Sequence, residues 1–128
     1  MMTNSTTLLI VEDEILIQQT VEDALTEAGF TVMIASSGTE AMTELGDDAA
    51  RFRAVITDIR LGDGPNGWHV AQCARELVQD MPIVYMSGDS GHEWTSKGVP
   101  NSVMISKPFA TAQIVTAVAT LLNEADSH

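Results

Sequence analysis

Polar side chains follow four apolar runs of this chain, close to the point where each run ends. They are Glu12, Asp13 and Glu14 after residues 7–11, Asp58 after 54–57, Ser87 after 83–86, and Lys107 after 103–105. Taken singly, each is typical of a helix cap, a turn or a solvated charge. Taken together they suggest one site, because a buried carboxylate needs a cation or hydrogen-bond donors, and Lys107 can supply the cation.

These residue types favour phosphoryl chemistry beside a hard cation. Three carboxylates offer the oxygen ligands that Mg²⁺ (or Mn²⁺) prefers. Lys107 can place a positive charge on one phosphoryl oxygen, and the Ser87 hydroxyl can donate to another. Asp58 can then act as an in-line nucleophile and form an aspartyl phosphate.

The elements that must position this site alternate along the chain. The apolar runs, rich in β-branched residues, predict strands at 7–11, 31–35, 54–57, 83–86 and 103–105. Apolar spacing predicts helices at 14–28, 38–49, 67–79 and 110–123, and the polar stretch 89–99 predicts at most a short helix. This βα alternation predicts an α/β fold whose parallel sheet has helices on both faces and its ligand site at the carboxyl ends of the strands.

Composition limits the class of protein. A length of 128 residues suits one domain, and a net charge of −12 with only six Lys or Arg argues against direct nucleic-acid binding. No apolar run approaches the roughly 20 residues of a membrane helix. The start of the chain lacks the pattern of a signal peptide, and Cys73 has no cysteine to pair with. We therefore expect a cytoplasmic protein without a membrane segment.

Four short motifs occur in a familiar order: "LLIVEDE", "AVITDIRL", "VYMSG" and "SKPF". With their spacing, they resemble the signatures of the receiver domain of two-component response regulators. The resemblance covers residues 7–123, with 1–6 expected to be a flexible N-terminus and 124–128 a tail. It implies a flavodoxin-like, doubly wound (βα)5 fold with strand order 2-1-3-4-5.

The resemblance also implies a role for each site residue. Asp58 resembles the phosphoacceptor, and Glu12 and Asp13 resemble the acidic pair that holds Mg²⁺ together with Asp58. The backbone carbonyl of Arg60 corresponds to a further metal ligand. Ser87 and Lys107 resemble the residues that bind the phosphoryl group, and the bond before Pro108 resembles a peptide that is often cis in the family.

Three features depart from the family pattern. The loop "GDGPNG" after Asp58 is one residue longer than usual, which we interpret as a neutral insertion. Met104 stands where the family usually has Tyr or Phe, so the aromatic part of the family's output relay is missing here. The segment between Ser87 and Lys107 is short, which predicts a truncated fourth helix containing Trp94, a core or contact residue.

Some polar and reactive residues have ordinary interpretations. We expect His92 and His128 at the surface, Cys73 in or near the third helix, and no metal site at His69. Arg60 and Asp89 each lie two residues beyond a site residue and border the route by which water enters. We therefore predict that Arg60 and Asp89 tune hydrolysis of the phosphorylated state.

The resulting hypothesis is a stand-alone receiver that accepts a phosphoryl group on Asp58 from a histidine kinase or a histidine phosphotransfer protein. Its output would be binding to a downstream protein or passing the phosphoryl group on. One alternative is the terminal receiver module of a hybrid histidine kinase. Another is a pseudo-receiver that binds partners without being phosphorylated. A phosphatase with an aspartyl nucleophile is disfavoured, because Arg60 stands where a second acidic residue is commonly needed.

Overall fold

The computed structural model describes residues 7–126, and its centre is a five-stranded parallel sheet in the order β2-β1-β3-β4-β5. The strands are β1 Thr7–Val11, β2 Thr31–Ala35, β3 Phe52–Asp58, β4 Ile83–Ser87 and β5 Ser102–Ser106. The helices are α1 Ile15–Glu27, α2 Gly38–Asp48, α3 Gly67–Leu77, α4 Trp94–Lys97 and α5 Thr111–Asp126. The predicted fold class and strand order are confirmed.

Apolar residues on both faces of the central strands explain why helices cover the sheet twice. Along β1, Leu9 and Val11 face one core cluster, whereas Leu8 and Ile10 face the other. Helices α2 and α3 pack on the first face, and α1 and α5 pack on the second. These strand residues are fully buried, which is why the strands read as continuous apolar runs rather than as alternating patterns.

Local sequence signals fix several helix ends. Helix α1 ends in a Schellman motif: Gly29 has φ +100°, and the Phe30 N–H donates to the Leu25 carbonyl. The Ser37 side chain caps α2 by accepting the Glu40 N–H. Asn66 and His69 form a reciprocal capping box at the start of α3. His69 is therefore a capping residue at the start of α3.

The fourth helix is as short as the sequence predicts. A 3₁₀ turn at Gly91–Glu93 leads into α4, which is only four residues long. The strand order makes β5 an edge strand of the sheet, and a helix of four residues gives it only modest cover. Trp94 is 37% exposed there.

Several element boundaries differ by one to three residues from the sequence-based expectation, and two of these differences have a clear physical cause. Strand β3 begins at Phe52 rather than at residue 54, because the Phe52 ring is buried and the Arg51 guanidinium lies over it. Helix α5 continues to Asp126, whose carboxylate pairs with Arg53 at 2.7 Å.

The predicted N-terminus at 1–6 and His128 lie outside the described residues. Between residues 7 and 126, no helix combines the length and apolarity needed to cross a membrane.

Candidate functional site

The carboxyl ends of β1, β3, β4 and β5 meet around a cleft of about 610 Å³. It is lined by Asp13, Glu14, Asp58, Arg60, Ser87, Gly88, Asp89 and Lys107. Asp58 and Ser87 are the last residues of β3 and β4, and Lys107 follows β5. The structure thus brings together polar residues that are far apart in sequence, because parallel strands end at the same edge of the sheet.

Lys107 is the cation that meets the buried carboxylates. Its Nζ lies 3.1 Å from Asp58 Oδ2 and 3.2 Å from Glu12 Oε1, and donates to both. Glu14 Oε1 is at the outer limit of an ion pair, 4.0 Å away. The Lys107–Pro108 peptide bond is cis. Pro108 itself is exposed and does not line the cleft.

Asp58 is held by the backbone around it. Its Oδ1 accepts the Ile59 N–H at 2.8 Å, and only 6% of the residue is exposed. Gly67, at the start of α3, lies so close that a Cβ there would come 2.1 Å from the Asp58 carbonyl oxygen. A glycine is therefore required at position 67 for the loop after Asp58 to return to the strand end.

Burial and charge shift the pKa values of the three groups at the centre of the site. Burial raises the pKa of Glu12 to about 7, and the nearby Asp58 carboxylate adds to this shift. Burial also raises the pKa of Asp58, although Lys107 acts in the opposite direction. Burial by itself lowers the pKa of Lys107, but Asp58 and Glu12 outweigh it, so the net shift is upward and the ammonium stays protonated.

Three carboxylates form a cluster that fits a hard divalent cation. Glu12, Asp13 and Asp58 each offer an oxygen, and these oxygens lie within 4.8 Å of one another. Such an all-oxygen set suits Mg²⁺ or Mn²⁺. Asp13 is exposed whereas Glu12 is fully buried, so the cluster is open to solvent on the Asp13 side.

Ser87 organises the turn that follows β4. Its Oγ accepts the Ser90 N–H at 2.7 Å and the Asp89 N–H at 3.2 Å. Ser87 is only 3% exposed, and its hydroxyl hydrogen is left to donate towards the cleft. Asp89 pairs with Arg60 at 3.0 Å, which links the two loops that border the cleft.

The loop after Asp58 lies against the start of α2. A Cβ on Gly38 would come 2.0 Å from the Pro65 carbonyl oxygen, so the two segments are in close contact. Gly62 and Gly64 have φ of +75° and +92°, which lets the loop fold back over a short span. The loop therefore packs against the start of α2 at Pro65.

Met104 is not among the residues that line the cleft. It is partly buried, packs against the core between the sheet and helices α2 and α3, and pairs in register with Tyr85 of β4.

Trp94 donates its Nε1 hydrogen to Ser102 Oγ at 2.9 Å. His92 is exposed and Cys73 is partly buried in α3, with a thiol pKa raised by burial.

Gln18 was not predicted from the sequence as a site residue, yet its side chain holds the backbone at Glu12. Its Nε2 donates to the Glu12 carbonyl at 2.6 Å and to Ser36 Oγ at 3.1 Å. Gln18 is 8% exposed and lies on the same helical stripe as the buried Val21 and Leu25. A polar residue on an otherwise apolar stripe is the signal that could have revealed it.

Comparison with known proteins agrees with this geometry. The family model described as "Response regulator receiver domain" matches residues 8–119. A crystal structure of a response regulator receiver protein from Sinorhizobium medicae is 47% identical, with a TM-score of 0.90, and the match covers 93% of this chain and 95% of that one.

Two curated relatives are longer than the matched region. The transcriptional regulatory protein CusR of Escherichia coli K12 is 37% identical over 121 residues, which is 90% of this chain and 50% of CusR. The sensor kinase CckA of Brucella abortus is 27% identical over 98% of this chain and 13% of its own length. The chain spans about half the length of the first of these relatives. On the evidence of its fold, its strand-end site and the family model, the chain belongs to the response regulator receiver domain family.

Proposed function

We propose that this chain is a signalling switch that takes a phosphoryl group on Asp58 in the presence of Mg²⁺ or Mn²⁺. The observation that carries the proposal is a carboxylate, 6% exposed, that faces Lys107 at 3.1 Å beside two further acidic side chains. A carboxylate kept in so costly a place needs a reason beyond stability, because burying an ion pair seldom stabilises a fold.

The proposed transfer is a displacement at phosphorus. An oxygen of Asp58 forms a bond to phosphorus while the bond from phosphorus to the donor breaks, which leaves a mixed anhydride on Asp58. Lys107 is placed to neutralise an oxygen of the incoming group, since its Nζ already lies 3.1 Å from Asp58 Oδ2. The Ile59 N–H holds the other carboxylate oxygen in position.

The metal is assigned to the acidic cluster. We propose that Glu12, Asp13, Asp58 and the backbone carbonyl of Arg60 hold it, directly or through water. When bound, the cation supplies positive charge that offsets the carboxylates and the phosphoryl oxygens. Gln18 helps to fix the chain at Glu12 by donating to its carbonyl.

Ser87 is assigned to the recognition of the phosphoryl group. Its oxygen already accepts two N–H groups from the next turn, so its hydroxyl hydrogen is available for a phosphoryl oxygen. A shift of Ser87 towards that oxygen would move the turn at Asp89 and Ser90 with it. We propose that this movement is the start of the output.

The proposed donor is a histidine kinase or a histidine phosphotransfer protein. Receiver domains interact with histidine kinases, and one relative of this chain is itself named a sensor kinase. Two large apolar side chains beside the cleft, Ile15 at 65% and Leu16 at 78% exposure, suit contact with a protein donor.

All proposed site residues lie within residues 7–123, the proposed receiver unit. The downstream partner is proposed to be a protein.

Intact mass measurement with a small phosphodonor tests the proposal. Incubation with acetyl phosphate and Mg²⁺ should add one phosphoryl group to the wild-type protein and none to Asp58→Asn. Asp63→Asn, an exposed acidic residue in the loop after Asp58, is the matched control and should be phosphorylated like wild type. If no adduct forms with acetyl phosphate or with a kinase, the pseudo-receiver alternative replaces this proposal.

A further inference from the structure

We propose that Tyr85 anchors the segment between α4 and β5, so that phosphorylation of Asp58 is read out by release of Trp94 from Ser102. This inference rests on the proposed function of Asp58 and Ser87. It concerns a surface that we call the α4–β5 corner, made of Gly98, Val99 and Ser102, on which the Trp94 indole lies.

Tyr85 lies on the same face of β4 as Ser87, two positions earlier in the strand. Its side chain is fully buried and its ring contacts that of Trp68, with centroids 4.8 Å apart. Its hydroxyl nevertheless reaches the loop between α4 and β5, where it accepts the Val99 N–H at 3.0 Å. Tyr85 therefore ties the α4–β5 corner to the centre of the sheet.

Val99 passes this attachment on to Trp94. The Val99 carbonyl accepts the Ser102 hydroxyl at 2.6 Å, and Ser102 Oγ in turn accepts the Trp94 Nε1 hydrogen at 2.9 Å. Gly98 lies against the indole so closely that a Cβ there would come 2.2 Å from Trp94 Cδ1. The indole is thus fixed on one side by a hydrogen bond and on another by a glycine contact.

A second connection reaches Trp94 from Ser87 along the chain. Ser87 Oγ accepts the Ser90 N–H, and the Ser90 carbonyl accepts the Glu93 N–H at 3.0 Å, immediately before Trp94. Trp94 is therefore held between a turn that is attached to Ser87 and a corner that is attached to Tyr85. When Ser87 moves towards a phosphoryl oxygen, the turn moves while Val99 and Ser102 stay in place.

Of the contacts that join Ser87 to Tyr85 through Trp94, the hydrogen bond between Trp94 and Ser102 is the weakest. It is a neutral hydrogen bond at an exposed position, worth only a small free energy, whereas Tyr85 and Ser87 are buried. Movement of the turn is therefore expected to break that contact first. Met104, in register with Tyr85, provides only flexible apolar packing beside this path.

The indole N–H resonance of Trp94, observed by NMR with ¹⁵N-labelled protein, tests the inference. In wild type, acetyl phosphate and Mg²⁺ should shift this resonance, which Trp94→Phe identifies. In Tyr85→Phe, the amount of phosphorylated protein by intact mass should be unchanged, and the shift should be at least roughly halved because the corner can follow the turn.

Three further measurements separate this inference from ordinary loss of structure. Without phosphodonor, exchange of the Val99 amide should be about fivefold faster in Tyr85→Phe, the change expected for one neutral hydrogen bond. Ser102→Ala should free the Trp94 indole before phosphorylation, so that the donor shifts it little. Thr43→Ala removes an exposed hydroxyl that bonds within α2 and should behave like wild type.

The outcomes that overturn the inference are distinct from those that overturn the proposed function. A phosphoryl adduct without any shift at Trp94, or an equal shift in wild type and Tyr85→Phe, refutes the role of Tyr85. Absence of an adduct on Asp58 refutes the proposed function and the inference that rests on it.

Discussion

Two clefts of similar size lie at opposite ends of the sheet, and they differ in what their charges do. The cleft at the carboxyl ends, about 610 Å³, contains Asp58 and Lys107. The cleft at the other end, about 510 Å³, is lined by Arg75, Asp80, Pro82, Asn101, Leu121, Glu124 and Ala125. Volume alone does not distinguish them.

Their charged groups are used differently. Arg75 donates to the backbone carbonyls of Met81 at 2.6 Å and Asn101 at 3.3 Å, so it joins the end of α3 to the loops before β4 and β5. Lys107, by contrast, donates to two buried carboxylates. Buried carboxylates that face a cation in a cleft therefore indicate a site for chemistry, whereas a cation bound to backbone carbonyls has a structural role.

Removing Lys107 should have the largest effect. Lys107→Met is expected to slow phosphorylation by acetyl phosphate by about 100-fold, the usual cost of losing one charged donor from a reacting group. The rate is measured by intact mass over time. Lys97→Met, which removes an exposed lysine paired with Glu93, is the control and should leave the rate unchanged. Equal phosphorylation rates in wild type and Lys107→Met would show that Lys107, like Arg75, takes no part in the reaction.

The pH dependence of stability should come from the same end of the sheet. The pKa of Glu12 is raised from 4.5 to about 7 in the folded protein. Between these pH values the folded state therefore keeps a proton on Glu12 that the unfolded chain loses. This contribution to stability is complete below pH 4.5 and is lost as the pH rises to about 7. We expect Glu12→Gln to remove a pH-dependent part on the order of 3 kcal/mol from the free energy of unfolding.

Mg²⁺ should counteract that loss, since a bound cation replaces the proton among the carboxylates. Urea unfolding of wild type and Glu12→Gln, with and without Mg²⁺, measures both effects between pH 5 and 8. Stabilisation by Mg²⁺ should grow with pH in wild type. The same pH dependence in both proteins without Mg²⁺ would show that Glu12 is not the responsible group.

Arg75 should affect stability without affecting phosphorylation. Arg75→Met leaves the Met81 and Asn101 carbonyls without their donor, and we expect the free energy of unfolding to fall by about 1–2 kcal/mol. The rate of phosphorylation of the folded protein should stay at the wild-type value. A large decrease in that rate would mean that the cleft at the amino ends of the strands also serves the reaction.

The smallest effect is expected at the Arg60–Asp89 ion pair, which spans the two loops at the mouth of the site. Both side chains are more than half exposed, so their attraction adds little to stability. Replacing both by Ala should change the rate of dephosphorylation several-fold by altering access of water. Decay of the adduct after removal of the donor measures this, and an unchanged decay rate would refute the predicted tuning.

Sequence reasoning reached the fold and the strand-end cluster for physical reasons. Continuous apolar runs identify strands buried on both faces, and the parallel order then fixes where Asp58 and Lys107 must meet. It could not find Tyr85, because the bond between its hydroxyl and Val99 depends on the path of the α4–β5 loop. Gln18 was missed for a similar reason, since its partner Ser36 belongs to another βα connection.

The most direct test of the central claim is to locate the phosphoryl group chemically. Borohydride reduction converts an aspartyl phosphate to homoserine, which peptide mass spectrometry can place in the sequence. After treatment with acetyl phosphate and Mg²⁺, we expect homoserine at position 58 and at no other acidic residue. Homoserine at a different position, or a phosphoryl group that resists reduction because it is carried by another kind of side chain, would contradict it.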